Sequence, residues 1–463
     1  MKHRVTVAIP LVLSMLLSAC GGGGSSQTVS LDGAGSAPGP SVSHTAAPMP
    51  PTPGAGTPAT APDSSAGWTA DADFLVNTTP TNAQVVPAVA RLQGGGHVVV
   101  WTAAGGDAVT LRRYDVHGKP TGGESVLDGG RAGVHPTVVA LPDGGFAVGW
   151  FQFPGFVPGS GQDSGIQQVM VQRFDAGGTP IMAPTLAGTS WGTRFLGPDP
   201  TRAVPRAPML APLARGGLVV VWLGAADAGS PAQMNATLFD VNGASGGQTT
   251  LSLPVGTTVA PLSDGGFLTA GFDTRFTGGS PIVAQRYDAK AQPVGAPLNL
   301  GGSTRTASPQ GVSSFTMKDG SLALLYASVD PVAGDTQQVH YVLVDLSATD
   351  GSRLRAWAVG DRLLSGFSSA QLQGAALDDG GFVVMSSLWK PGVQPPETQV
   401  LLQRFDASGQ ATGQSSFGSA FVAGSAQPVY APAAIAGAAD DTVLVVTRGL
   451  DGQGATNVVA LHR

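Results

Sequence analysis

The chain has a single cysteine, Cys20, among 463 residues. It can form no internal disulfide, so packing and hydrogen bonds must hold the fold. Charge is scarce as well: 12% of residues are Asp, Glu, Lys or Arg, and the net charge is −6. Nucleic acid calls for a basic footprint, and so do anionic lipid head groups, so this balance argues against both as partners. Beyond the N-terminal segment no stretch is long and apolar enough to cross a bilayer as a helix, which takes about 20 residues. His44, His97, His117, His135, His340 and His462 lie scattered, without the short His/Cys spacing of a zinc site. No Asp-x-Asp-x-Asp-Gly run gathers oxygen ligands for calcium. No metal and no cofactor is expected.

Glycine, by contrast, is abundant at 67 residues, and much of it falls in one recurring phrase. Seven times between Gln84 and Arg463 a short apolar run meets a Gly-rich turn, a second apolar run follows, and something close to Gln-Arg-Phe-Asp comes later. The clearest copies pair Leu141-Pro142-Asp143-Gly144-Gly145-Phe146 with Gln172-Arg173-Phe174-Asp175, and Leu377-Asp378-Asp379-Gly380-Gly381-Phe382 with Gln403-Arg404-Phe405-Asp406. A period of about 58 residues marks a repeat architecture. In the second copy Thr137–Leu141, Phe146–Trp150 and Met170–Phe174 read as strands, and the turn at Asp175–Pro180 leads into a fourth. Four antiparallel strands per unit predict an all-β, seven-bladed β-propeller over residues 68–463. The last copy ends after a third strand at Val458–Arg463, while Asp73–Asn77 reads as an outer strand without a blade. The expectation is therefore a ring closed by that N-terminal strand, which also removes exposed sheet edges. The fifth copy, Lys318-Asp319-Gly320 with Val342–Asp345, is degenerate. The two phrases resemble repeats of bacterial exported propeller-type proteins, a resemblance that speaks for architecture rather than activity.

The N-terminal segment carries a different message. Lys2, His3 and Arg4 precede the uncharged run Val5–Leu17, and Leu17-Ser18-Ala19-Cys20 follows. The run is too short to span a bilayer and fits the apolar part of a secretory signal. The small residues before the cysteine resemble the lipobox of bacterial lipoproteins. That resemblance implies a signal peptide at 1–19, lipidation at Cys20, and a membrane partner reached through the lipid. With Gly21 next, it implies sorting to the outer membrane, the side of display left open. Residues 20–67 are dominated by Gly, Ser, Pro, Ala and Thr and read as a disordered tether spanning roughly 35–40 Å.

Several motifs invite chemistry and are weighed against plainer readings. Gly188-Thr189-Ser190-Trp191-Gly192 matches a nucleophile elbow, but Pro198, Pro200 and Pro205 soon follow, where a helix is required. Arg173 and Asp175 share a strand face and could pair with each other or across strands. Six similar copies indicate scaffold rather than a catalytic constellation. Asp71/Asp73 and Asp440/Asp441 are carboxylate pairs of the kind glycosidases use, though acids in loops are more often simply solvated. No catalytic residue is assigned. The longest variable stretches, Phe151–Gln167 and Ala187–Arg206, fall on one face of the ring and carry Phe151, Phe153, Phe156, Trp191, Arg194 and Phe195. Loop aromatics with arginine anchor interfaces. The leading expectation is a monomeric, non-catalytic binding scaffold for a protein or glycan. The alternatives are a hydrolase or lyase with its site at the central funnel, and a periplasm-facing envelope-assembly partner.

Overall fold

Each Asp-Gly-Gly phrase makes the same turn for the same physical reasons. In the computed structural model, Leu141 N–H donates to Gly145 O at 2.8 Å and Gly144 N–H returns to Leu141 O at 3.0 Å. Gly144 has φ +86°, open to glycine without strain. Gly145 is needed for space: a Cβ there would lie 2.3 Å from the Phe174 carbonyl oxygen of the third strand. Asp143 Oδ1 accepts from Gly145 N–H at 3.0 Å and sets the turn.

The structure describes residues 74–78, 85–103, 108–127, 133–154, 166–191, 207–227, 230–252, 256–272, 282–299, 312–326, 368–389, 398–418, 433–438, 441–450 and 456–462. They are all strands, turns and short connections, and they fall in one unit, Gly56–Arg463. After β1 (Phe74–Leu75), the first sheet holds β2 (Val85–Arg91), β3 (His97–Ala103), β4 (Ala108–Tyr114) and β5 (Ser125–Val126). The second holds β6 (Gly133–Ala140), β7 (Phe146–Gln152), β8 (Ile166–Phe174) and β9 (Thr185–Trp191). The third holds β10 (Met209–Pro212), β11 (Leu218–Gly224), β12 (Gln233–Phe239) and β13 (Ser245–Thr250). The fourth holds β14 (Gly256–Pro261), β15 (Phe267–Phe272), β16 (Ile282–Tyr287) and β17 (Pro293–Asn299).

The fifth unit has only β18 (Val312–Thr316) and β19 (Leu322–Tyr326). The sixth sheet holds β20 (Ser368–Ala376), β21 (Phe382–Trp389), β22 (Thr398–Phe405) and β23 (Ala411–Gly418). The last joins β24 (Ala433–Gly437), β25 (Val443–Leu450) and β26 (Thr456–His462) with β1. Strands within each sheet pair antiparallel in chain order, and the innermost strands pack each on the next, β24 meeting β2.

The expectation of seven four-stranded blades is corrected. Among the described residues six sheets have four strands and the fifth unit is a hairpin; the Val342–Asp345 segment read as its third strand lies outside them. The closing strand is also smaller than expected. Of its described residues, Phe74–Asn77, only Phe74 and Leu75 pair, with Ala460 and Val459. The circle is joined by side-chain packing of the last sheet on β2, with that two-residue pairing added at the outer edge. The signal segment with Cys20 and the 20–67 tether lie outside the described residues.

The Gln-Arg-Phe-Asp phrase resolves into four separate jobs. Phe174 stacks on its cross-strand partner Phe146 at 4.7 Å, as Phe405 does on Phe382 at 4.9 Å. Gln172 Nε2 donates to Met182 O at 3.2 Å, tying the third strand to the bend that leads into the fourth. Asp175 does not pair with Arg173; its Oδ1 accepts from Thr179 N–H at 2.8 Å and closes its own turn. Arg173 pairs across strands with Asp143 at 2.6 Å and reaches the third sheet through Val241 O at 2.7 Å. Arg404 repeats this with Asp379 at 2.7 Å and Asp441 O at 3.3 Å. Arg286 pairs with Asp264 at 2.8 Å.

Arg173 is the buried member of its pair, 5% exposed against 46% for Asp143. Arg173→Ala should cost about 2 kcal/mol in urea unfolding, because it takes the side-chain donor from Val241 O and from Asp143 Oδ2. Asp175→Ala, at an exposed turn, should change the midpoint little. A similar loss in both variants would show that the turn, not the arginine, holds the junction.

Burial pushes the Asp143 carboxyl up, but its bonds from Arg173 and Gly145 outweigh that and hold it below the usual carboxylate range. Asp379 follows the same balance with Arg404 and Gly381. A carboxylate depressed on folding adds stability above its unfolded pKa of about 3.9 and loses it as pH falls through the folded value. Urea midpoints should therefore drop below about pH 4, and Asp143→Asn should make that drop shallower. An unchanged acid limb in the variant would rule Asp143 out as a contributor.

Candidate functional site

Two of the residues expected in the recognition patch are core residues instead. Phe151 ends in β7 rather than in a loop, and Phe151 and Phe153 are 4% and 2% exposed. Both belong to the core between the second and third sheets, with Val169, Leu210, Trp222 and Phe239. The strands run further than the alternation indicated, so β8 begins at Ile166 and β9 continues to Trp191. Of the described members of the proposed set, Trp191 is exposed, at 37%. It exchanges backbone hydrogen bonds with Ala225 of the third sheet at 2.7 and 3.1 Å. Phe156, Arg194 and Phe195 lie outside the described residues. Ser190 of the Gly-x-Ser-x-Gly match sits within β9 and is buried, so no nucleophile elbow forms.

A different site appears where the innermost strands end. A cavity of 310 Å³ is lined by Arg91 from β2, Thr316 and Lys318 at the end of β18, Gly374–Asp378 at the end of β20, and Ile435–Gly437 of β24. Across it Arg91 and Asp378 form a two-pronged ion pair, Nη1 to Oδ1 at 2.9 Å and Nη2 to Oδ2 at 2.8 Å. The two side chains are 29% and 47% exposed, so both are within reach of a ligand. Lys318 Nζ donates to the Asp378 backbone oxygen.

The pair joins the first sheet to the sixth and passes over the seventh, at Gly437. A Cβ on Gly437 would lie 2.4 Å from Ala376 O and 3.9 Å from Arg91 Nη1, so only glycine lets β24 come this close. His97 Nε2 lies 3.0 Å from Gly437 O and fixes that wall from below. Asp441, just past β24, has φ +59° and accepts Asp379 N–H at 2.6 Å.

The electrostatics are set by the arginine. The hydrogen bond from Arg91 holds the Asp378 carboxyl below the usual carboxylate range, against the opposing effect of burial. In return Asp378, with a further contribution from Asp441, raises the Arg91 guanidinium. The cavity thus holds an ionised carboxylate, a permanent cation and the Lys318 amine, while Asp441, outside its lining, adds only to the field at the guanidinium. Among the described residues no group of three or more His, Cys, Asp or Glu could hold a metal ion.

These residues are departures from the repeat. Arg91 occupies the last position of an innermost strand, where the other units have Ala140, Pro212, Pro261, Thr316, Ala376 and Gly437. Lys318 and Asp378 share a turn position held elsewhere by Gln93, Pro142, Ala214, Ser263 and Ala439. Both positions are uncharged in the other units. Sequence reading missed them because it followed the repeat rather than what breaks it.

No family model matches the chain, and no curated protein matches it in sequence. Among solved structures there are matches of low degree. The Penicillium chrysogenum alpha-L-arabinanase complexed with arabinobiose is 11% identical, over 86% of this chain and 98% of that one, with a TM-score of 0.42. A point mutant of the Fusarium graminearum alpha-L-arabinofuranosidase arb93a, in complex with an iminosugar inhibitor, is 10% identical over 85% and 98%, with a TM-score of 0.45. A puromycin hydrolase mutant is 14% identical over 81% and 53%, with a TM-score of 0.43. At this degree of likeness they carry no argument about the chemistry of this chain.

The reading of a binding scaffold with Phe151 and Phe153 on its contact surface is corrected at those two residues, which are buried. The lipoprotein reading finds no support either: no family model matches, and Cys20 lies outside the described residues. Phe153→Ala should destabilise the fold by about 3 kcal/mol, the usual cost of emptying a buried phenylalanine site. Trp191→Ala should cost less than about 1 kcal/mol. Thermal unfolding checks both, and equal losses would contradict the burial assignment.

Proposed function

We propose that this chain is a hydrolase of glycosidic or similarly polar bonds, with its reaction centre in the axial cavity at Arg91, Lys318 and Asp378. The observation that carries this reading is the convergence of three departures from the repeat into one cavity. Scaffold positions repeat because every junction has the same packing problem; charges found at one or two units answer to something else.

The chemistry narrows the class. Asp378, held ionised by Arg91, suits stabilising a developing positive centre or attacking it, and is a poor proton donor near neutral pH. It is also a weak base, which disfavours a lyase that must remove a carbon-bound proton. Asp378 is the carboxylate that the cavity lining offers; Asp441 lies outside it and accepts from Asp379 N–H. Lys318 can meet negative charge on a leaving oxygen. The cavity volume lies at the lower end of the range that holds small ligands.

The full chain should release 4-nitrophenol from at least one member of a panel of aryl glycosides. Asp378→Asn should lower that rate by about 10²–10⁴-fold. Its melting temperature should change little, because a partly exposed pair contributes about 1 kcal/mol or less. No release above the buffer rate by the parent chain across the panel would defeat the reading. Full activity in Asp378→Asn would move the site elsewhere.

A further inference from the structure

The junction between the second and third sheets contains a polar seam inside an otherwise apolar interface. On the third sheet Trp222, Asn235 and Thr250 are cross-strand neighbours and so share one face. Asn235 Nδ2 donates to Gly224 O at 3.3 Å, and its Oδ1 accepts from Gln248 and Thr250, each at 3.3 Å. Gln248 Oε1 accepts Thr189 N–H at 3.2 Å, and Thr237 Oγ1 donates to Ala187 O at 2.8 Å. These bonds lace the two sheets together.

Three polar atoms in the same seam are left over. Gln167 and Ser190 lie opposite each other on β8 and β9 and are 6% and 9% exposed. Gln167 Nε2, Ser190 Oγ and Trp222 Nε1 have no hydrogen-bond partner among the described residues. The sites adjoin. A Cβ on Gly188 would lie 2.5 Å from the Trp222 ring, so the indole lies over β9. A Cβ on Gly224 would lie 2.1 Å from Ser190 Oγ and 3.6 Å from Trp222 Cδ1. The two glycines bring the indole edge and the hydroxyl to the same spot.

We propose that this spot is a binding site for one internal water molecule that joins the two sheets. Leaving three buried polar groups unsatisfied is costly, and interior waters with about three partners are the usual remedy. The donor count fits a single water. The indole N–H and the Gln167 amide donate to its oxygen, and one of its hydrogens is donated to Ser190 Oγ. A hydrophobic ligand has no use for this set, and a cation would meet only N–H donors on two sides.

A high-resolution crystal structure of the full chain tests the occupant directly. One ordered oxygen within hydrogen-bond distance of all three atoms is expected. An empty seam, or a protein group filling it, overturns the proposal. Ser190→Ala supplies an independent reading in solution. If the hydroxyl is bridged, its loss should lower the folding constant about fivefold. If the hydroxyl is truly unsatisfied, its removal should leave stability unchanged or improve it, which also overturns the proposal.

Discussion

A guanidinium that serves two sheets at once is the interaction on which the ring depends. Arg173 pairs with Asp143 of its own sheet and donates to Val241 O of the next. Arg113 donates to Ala176 O at 2.8 Å and to Gly177 O, again one sheet onward. Much of the remaining contact between neighbouring sheets is apolar side chains, which pack without fixing a register. The planar fork adds direction: it has five donors in fixed geometry and can satisfy a carboxylate and a carbonyl together. This explains how a chain with 12% charged residues places so many of its arginines at one repeat position. Each of these arginines is tied to a turn whose own geometry demands glycine, so strand, turn and junction are specified together.

Much of this was legible from sequence because a repeat states its physical requirements several times over. The Asp-Gly-Gly turn, the strand order and the all-β class all follow from copies such as Leu141–Phe146, where each residue has one evident task. The pairing of Arg173 was less legible. Two residues apart on a strand, Arg173 and Asp175 look like partners, yet the turn at Thr179 takes Asp175 and leaves Arg173 for Asp143. The aromatic patch misled for a similar reason. Phe151 and Phe153 come in a stretch rich in Gly and Pro, which reads as loop, but the strand runs on to Gln152, and Phe151 within it and Phe153 just past it are both in the core. Burial at an inter-sheet junction leaves no periodic mark in a run this short.

The axial site shows the opposite case. Its signal was present in the sequence, as Arg91 among small residues and Lys318 and Asp378 among neutral ones. What the sequence could not show is that three units far apart along the chain bring those exceptions to one cavity. Ring topology makes the innermost strands converge, so a difference too minor to notice in one copy becomes a cluster at the axis. Where repeats fix the scaffold, individuality collects at the centre.

The Arg91–Asp378 tie has one more consequence, which concerns force rather than affinity. The last sheet is assembled from both ends of the described chain, β1 from one and β24 to β26 from the other. Such a seam is where a ring ordinarily opens, since a pull on either end peels strands one at a time. Here the first sheet grips the sixth directly, over the backbone of Gly437. Worth about 1 kcal/mol or less, the pair cannot bear such a load; what it adds is a second link across the seam, made between the same two residues that face the cavity.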